Sequence, residues 1–493
     1  MRKAYSEGCK RILFWLATGG GKSVIFIEII YNLLTKNKKI IFVVRRRQLV
    51  LQAYEHFKKN GIESSIMMGN DKRFDKNKSL QICSIDTVMR RDYSFMKNFD
   101  AVVVDEAHDC TSASYQKFLN EIDADIFIGL TASPFAVGRK VHDFWDCCVK
   151  PIEVDELIER EFLTPSKILV AQEIDLTGIK TLGGDYKKDQ LAEKMSELKV
   201  VGDIIKGYKD FGEGKPAILF AVNKAHSMTM AAEFNAQGIE AVHCDESSKQ
   251  SERDAGIARL RECSRLKKPF VLCNVNIFSV GVDIKEAEVG LMARPTQSEI
   301  LYIQQVGRLL RPYQLCARCE AAHDNSNACY VCGSTDFKYK KNEAIIIDNG
   351  GNVFRHGLPN KKRSAVLTEE QRKSKAKEDL EKSFDIKTCS RCFASYEANR
   401  KACPFCDNEN DKIQREIKTV DGKIVPYREF DAIKHDLEQL VYIRDKKGLK
   451  TNFPFFKLYE KHGDIVYNYK ELKVPKFVKT LVDKNKMKEK VYR

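Results

Sequence analysis

Residues 11–23 read RILFWLATGGGKS, a short apolar run that ends on a glycine-rich turn at Ala17–Ser23. An amphipathic segment, Val24 to Leu34, follows at once. This is strand, loop, helix, and it commits the chain to an α/β layer in which a backbone loop leads into a helix N-terminus. The pattern then repeats. IIFVV (40–44), LQICSI (80–85), AVVVDEAH (101–108) and DIFIGL (125–130) are apolar strands, with helical stretches such as Leu49–Phe57 between them. Strands that alternate with helices predict a parallel sheet.

The alternation pauses around 151–164 and restarts. KILVAQEI, AILFAV, AVHC, FVLCNV and VGLMA predict a second α/β unit from about Pro165 to Pro359, closed by EAIIIDN. The expected division is a first lobe over 1–150, a linker over 151–164 and a second lobe over 165–360 with a cysteine-bearing insert at 313–340. A charged linker (361–384), a second cysteine module (385–410) and a basic segment (411–493) follow. A length of 493 residues suits two to four domains, and 43% hydrophobic residues suffice for sizeable cores.

No apolar run reaches the ~18 residues needed to span a bilayer. The start, Met1 to Gly8, is polar and lacks a signal peptide's apolar stretch, so a cytoplasmic location is expected. The formal net charge is +15, and the stretch from Asn410 to Arg493 holds 21 basic against 13 acidic residues, about half of that excess. Charge of this kind points to a polyanionic partner, most simply nucleic acid. The alternative is lysine kept for solubility. Eight of the sixteen cysteines fall in four C-x-x-C pairs. In a reducing compartment these read as metal ligands rather than disulfides.

The loop Ala17, Thr18, Gly19, Gly20, Gly21, Lys22, Ser23 has the composition of a phosphate cradle. Glycines let backbone N–H groups turn inward, and the helix N-terminus adds favourable partial charge. Lys22 would reach the β- and γ-phosphates and Ser23 would ligate Mg²⁺. Ala17 stands where the strict pattern has its first glycine. VVVDEAH sets Asp105 and Glu106 at the carboxyl end of a buried strand, the edge where open α/β sheets bind ligands. Asp105 would hold Mg²⁺, Glu106 would orient or deprotonate a water, and His108 would sense nucleotide state.

Cys316, Cys319, Cys329 and Cys332 form C-x₂-C-x₉-C-x₂-C, and Cys389, Cys392, Cys403 and Cys406 form C-x₂-C-x₁₀-C-x₂-C. Each set can grip one tetrahedral Zn²⁺, two ions in all, and an iron–sulfur cluster is the alternative. Cys147 and Cys148 lack such partners and read as core or incidental. His226, in NKAH, reads as structural.

DEAH, with Thr131–Ser133 (TAS) after the next strand, resembles superfamily 2 helicases. Phe278–Asp283 (FSVGVD) resembles that superfamily's motif V, and Gln304–Arg311 (QQVGRLLR) its motif VI. The motifs arrive in order over roughly residues 10 to 360. The resemblance implies two RecA-like lobes, an ATP and Mg²⁺ site completed by Gly281 and Asp283, and Arg308 and Arg311 as arginine fingers with Gln304 beside them. It implies that Thr131 and Ser133 couple with His108. It also implies that Arg45, Arg46, Arg47 and Thr87 touch a nucleic-acid backbone, a solvated arginine run being the alternative. Gln305 occupies the position of motif VI's usual first arginine. The adenine-reading glutamine motif is not found in the sixteen residues before Ala17, so the adenine pocket is expected to be incomplete here or to be completed upstream.

A narrower resemblance is to the RadD-like bacterial and phage DNA-repair helicases, through VVRRRQLVLQ (43–52), GLTASPF (129–135), LIEREFLTP (157–165) and AIIIDNGGNVFRHGLP (344–359). It implies an ATP-driven DNA translocase with repair or replication proteins as companions. RNA helicase activity and a nucleotide-gated clamp that does not cycle are the rival readings. A restriction-enzyme motor subunit is a third, although no nuclease constellation is evident in the chain.

Overall fold

A computed structural model describes residues 1–134, 144–170, 176, 178–182, 185–212, 214–275, 284–324, 326–368, 370–371 and 386–409, with isolated stretches beyond. Met1–Asn408 makes one unit and Glu409–Arg493 a second. In the second unit, Ile417–Val420 and Lys423–Pro426 pair as an antiparallel hairpin. Most of the basic segment 411–493 lies outside the described residues, as does the stretch 372–385 of the charged linker. No helix among the described residues is long and apolar enough to cross a membrane.

The first lobe is a seven-stranded sheet in the order Ser65–Met67, Leu80–Ser84, Ile40–Val44, Ala101–Asp105, Ile126–Thr131, Arg11–Trp15, Cys147–Val149. Every neighbouring pair is parallel. The continuous apolar runs have the reason expected of them. Ile40, Phe42 and Val44 face one core, while Ile41 and Val43 face another, so helices cover both sides. On the first side Phe42 meets Phe26 and Phe57 at 5.1 and 5.4 Å between ring centres. Phe26 lies on the helix Lys22–Leu34 that follows the glycine loop, so this aromatic trio anchors that helix to the sheet.

The second lobe has eight strands in the order Ala241–Cys244, Val271–Asn274, Ala217–Phe220, Val289–Leu291, Ala344–Asp348, Ser166–Val170, Ala394–Glu397, Ile386–Thr388. The first six run parallel. The last two belong to the second cysteine module. Ala394–Glu397 lies antiparallel to Ser166–Val170, with Ala394 opposite Leu169 and Ser395 opposite Ile168. That module was expected to stand outside the motor, and instead its hairpin extends the lobe's sheet. Ala394 joins the lobe's hydrophobic core, and Phe393 packs on Phe211 at 5.9 Å. The first cysteine module carries its own three-stranded sheet of Ala322–His323, Gln314–Cys316 and Phe337–Lys340.

One core continues across the two lobes. Phe14, Phe42 and Leu130 of the first belong to the same buried cluster as Ile218, Tyr302 and Leu309 of the second, with Leu157 and Leu163 of the linker among them.

Candidate active site

Strands of the first lobe end in step. Trp15 pairs with Thr131, and Asp105 pairs with Leu130. The loops that leave these strands therefore share one sheet edge. Leu16 donates its N–H to Thr131 O at 3.0 Å, and the Trp15 indole donates to Ala132 O at 3.0 Å, which ties the glycine loop to the TAS segment. Gly19 (φ 84°) and Gly21 (φ 89°) occupy the left-handed region, where a side chain is strained. Lys22 and Ser23 then open the helix, whose first turn has backbone N–H groups facing outward. Lys22 Nζ donates to Leu16 O at 3.2 Å. Burial lowers its pKa, as do Arg308 and Arg311, against the pull of Glu106 and Asp105.

Asp105 ends its strand, and Glu106 follows at φ 50°, ψ 49°. A left-handed glutamate is unfavourable by about 1–3 kcal/mol, and strain of this kind gathers at functional sites. Asp105 Oδ1 accepts the Glu106 N–H at 2.9 Å. Burial, then the neighbouring Glu106, raises the Asp105 carboxyl above its usual range. Burial also pushes Glu106 up, but the neighbouring His108 and the charges of Lys22 and Arg308 outweigh it and hold Glu106 low. His108 Nδ1 stands 3.3 Å from Glu106 Oε2 and 3.4 Å from Thr131 Oγ1. Thr131 Oγ1 in turn accepts the Ser133 N–H at 3.0 Å. The three residues expected to couple are thus one connected set beside Glu106.

The second lobe brings the helix Glu299–Leu309 onto this edge, with Gln304, Gln305 and Arg308 buried. Gly307 is what allows the approach. A Cβ there would stand 2.5 Å from Thr18 Cβ. A Cβ on Gly19 would meet Leu163 at 3.0 Å and Arg311 Cγ at 3.3 Å. Arg308 and Arg311 therefore lie within electrostatic reach of Lys22 although they belong to the other lobe. Ser133 Oγ and Gln305 Oε1 are buried without a hydrogen-bond partner among the described residues. The open helix N-terminus, Lys22 and the two arginines fit a polyanionic nucleotide. Phe278–Asp283, and with it Gly281 and Asp283, lies outside the described residues.

Arg45, Arg46 and Arg47 leave the strand Ile40–Val44 at the same edge and are exposed. Arg45 pairs with Asp109 at 3.2 Å, and Arg46 reaches Glu246 of the second lobe at 3.9 Å. Thr87, on the short helix Ile85–Val88, accepts the Gly69 N–H at 3.3 Å. His226 is buried, accepts the Val222 N–H at 3.3 Å and is pushed down to about 4 by burial, a packing role. Cys147 and Cys148 sit on the edge strand of the first lobe.

Each set of four cysteines gathers its sulfurs within 4.8 Å of one another. Cys316–Cys332 and Cys319–Cys329 are 3.6 and 3.5 Å apart, and Cys389–Cys406 and Cys392–Cys403 are both 3.6 Å. Metal–sulfur bonds of ~2.3 Å in a tetrahedron separate sulfurs by roughly 3.8 Å. The spacing fits one ion, whereas an iron–sulfur cluster spreads its thiolates over several irons. All four C-x-x-C turns share a backbone form. The residue after each second cysteine (Glu320, Gly333, Phe393, Asp407) has positive φ. Each donates its N–H to the carbonyl of the first cysteine.

Sequence reasoning missed the linker's part. Leu157 and Leu163 of LIEREFLTP pack on the glycine loop, and Thr164 donates to Leu310 O at 2.7 Å, just past the second-lobe helix. Their apolar spacing in a charged stretch was the available signal. It also missed Lys341, one lysine in a run of charges.

The family described as "Type III restriction enzyme, res subunit" matches residues 1–136, and "Helicase conserved C-terminal domain" matches 196–313. The "51.5 kDa protein" of a Lactococcus phage is 27% identical over 441 residues, 88% of this chain and 86% of that protein. "Putative ATP-dependent helicase IRC3" of Saccharomyces cerevisiae is 31% identical over 326 residues, 62% of this chain and 47% of that protein. "Putative mitochondrial ATP-dependent helicase irc3" of Schizosaccharomyces pombe is 27% identical over 327 residues, 63% of this chain and 53% of that protein. The chain thus spans most of the phage protein and about half the length of the yeast relatives. One family match falls on each lobe, in chain order and on either side of the interlobe site, and the chain carries the two-lobed core of a superfamily 2 helicase, a nucleic-acid-dependent ATPase.

Proposed function

We propose that the chain hydrolyses ATP to move along DNA and separate its strands, as a RadD-like cytoplasmic helicase of DNA repair, recombination or replication. The observation that carries this reading is the close approach of Gly307 to Thr18, which brings Arg308 and Arg311 to a loop on the other lobe. ATP with Mg²⁺ supplies the phosphoryl group and neutralises the charge that develops on it. The backbone of Gly19–Ser23 and Lys22 hold the phosphates, while Ser23 and Asp105 hold the metal. Glu106, kept ionised by His108, orients the attacking water and takes its proton. Arg308 and Arg311 balance charge on the transferred group, a contribution worth roughly 10³–10⁵ in rate for an arginine finger. Because the fingers ride on the second lobe, hydrolysis requires closure, and reopening lets the lobes step.

DNA rather than RNA is supported by the RadD-like phrases and by the restriction-enzyme family matched over the first lobe. That match ends at residue 136, so it supports a shared motor and not a nuclease. The exposed Arg45, Arg46 and Arg47 offer cations for phosphates at the sheet edge. The eight clustered cysteines would hold two Zn²⁺ ions as structural ligands.

The test is steady-state ATPase activity without nucleic acid and with single-stranded DNA, duplex DNA or RNA, paired with strand displacement. Stimulation by DNA with ATP-dependent displacement is expected. Stimulation by RNA alone would replace the substrate, and tight ATP-dependent binding without turnover would make the chain a clamp.

A further inference from the structure

Lys341 ends the first cysteine module and returns the chain to the second lobe, donating its backbone N–H to Tyr313 O at 2.8 Å. Its sequence setting, FKYKKNE, suggests a solvated charge. In the fold its side chain is only 3% exposed. The ammonium has three donors. They meet Ala287 O at 2.6 Å, Leu309 O at 2.7 Å and Lys285 O at 3.4 Å. Leu309 is the last residue of the helix that carries Arg308, and its carbonyl is one of those a helix leaves unpaired at its C-terminus. A cation there also complements the helix dipole. Burying an ammonium is strongly unfavourable unless it is fully bonded. A methionine or leucine would fill the same space but leave the Ala287 and Leu309 carbonyls buried without a donor, so the lysine is what satisfies this helix end.

We infer that Lys341 is a positioning residue for the ATPase reaction, a cationic plug through which the cysteine module fixes the end of the arginine-finger helix. This deepens the function proposed above and rests on Arg308 and Arg311 acting at the nucleotide. The geometry is direct. Arg311 stands two residues past the helix end that Lys341 holds, and its charge acts on both Lys22 and Lys341. The module is thereby joined to the finger segment twice, once through the chain at Gln314–Cys316 and once through this side chain.

The charges that face Lys341 are Glu286 and Glu288 ahead of the strand Val289–Leu291, and Arg311 after the helix. Glu286 is held by Arg261 at 3.1 Å, and Glu288 bonds Tyr339 of the module. Burial lowers the Lys341 pKa from 10.5 to about 8, against the pull of Glu288 and Glu286. The folded protein therefore releases this proton before the unfolded chain does. Between about pH 8 and 10.5 the titration adds stability while it removes the cation from the helix end. Titration of Lys341 in that range therefore does not itself favour unfolding.

The test compares wild type with K341M and K341R, using R311A and K22A as controls for the site itself. The readouts are kcat and KM for ATP at saturating nucleic acid, zinc content, melting temperature and the pH profile of kcat. K341M is expected to lower kcat roughly tenfold or more, since misplacement by ~1 Å can lose about 10² in rate. Its zinc content and nucleic-acid affinity should stay within about twofold of wild type. K341R should recover most of the rate, and its alkaline limb should move upward because a guanidinium stays charged. Wild-type kcat with K341M, or an alkaline limb identical in wild type and K341R, overturns the assignment even if K341M folds poorly. If R311A and K22A turn over normally, the reading of the nucleotide site has failed instead.

Discussion

Replacing Gly307 by alanine puts a methyl group where the second-lobe helix rests on the glycine loop. The new Cβ would lie 2.5 Å from Thr18 Cβ and 3.2 Å from Thr18 Oγ1. Carbon atoms pack at about 3.5–4.0 Å, so the helix must retreat by at least ~1 Å along that line. Thr18 cannot easily yield, because it is buried and its loop is bonded to the TAS segment through Leu16 and Thr131. The retreat carries Arg308, on the next residue, away from Lys22 and Glu106. A shift of ~1 Å in a catalytic group can lower a rate about 10²-fold. Helix propensity acts in the other direction, since alanine is favoured over glycine in a helix interior by about 0.5–1 kcal/mol. Overpacking of a buried contact costs about 1–3 kcal/mol, more than that gain, so stimulated kcat should fall about 10–100-fold and the melting temperature by a few degrees, with the fold retained. The assay is nucleic-acid-stimulated ATP turnover at saturating ATP, read beside thermal unfolding. Wild-type kcat in a well-folded G307A protein would refute the interlobe contact as a requirement for hydrolysis.

Glu106→Gln should keep ATP affinity within a few-fold of wild type and reduce turnover by at least ~10³, measured by nucleotide binding and single-turnover hydrolysis; near-normal turnover would remove Glu106 from its role. Metal analysis should find two zinc ions per chain, one for each four-cysteine cage. C316S with C319S should lower turnover at saturating nucleic acid. C403S with C406S should lower thermal stability as well as DNA affinity, because that module's hairpin extends the second-lobe sheet. In log–log form, binding should fall with salt by about 0.9 per neutralised phosphate on duplex and about 0.7 on single strands. Deleting 411–493 should flatten that slope, and an unchanged slope would make the segment a solubility device.

What was legible in the sequence was legible for identifiable reasons. The strands Ile40–Val44 and Ala101–Asp105 could be found because a parallel sheet covered on both faces needs near-continuous apolar runs. The glycine loop could be found because Gly19 and Gly21 need a conformation other residues avoid. The cysteine cages followed from spacing. The hairpin Ile386–Thr388 and Ala394–Glu397 could not be placed, because its strands are short, partly polar and paired with a strand more than two hundred residues earlier. Such pairing is decided by tertiary packing rather than by local pattern. Lys341 was invisible for a related reason. Charge runs usually face water, and only the assembled fold shows that one lysine of the run turns inward.

The location of the first cysteine cage has a physical logic in a split active site. Helix ends fray, and Arg311 lies beyond the last helical residue, where backbone hydrogen bonds hold the chain least. Catalysis tolerates little displacement of a finger, so this segment has to be fixed from outside the helix. Three supports converge on it. Thr164 of the linker bonds Leu310, Lys341 bonds Leu309, and the cage begins at Cys316, five residues after Arg311. A four-cysteine cage can supply order in a short segment because metal-binding free energy becomes folding free energy there. The linker's support is shared, since Leu157 and Leu163 also pack on the first lobe's glycine loop, whereas Lys341 and the cage act within the second lobe. On the function proposed above, rigid fingers on a lobe that opens and closes would couple hydrolysis to motion, since closure would determine when Arg308 and Arg311 reach the nucleotide.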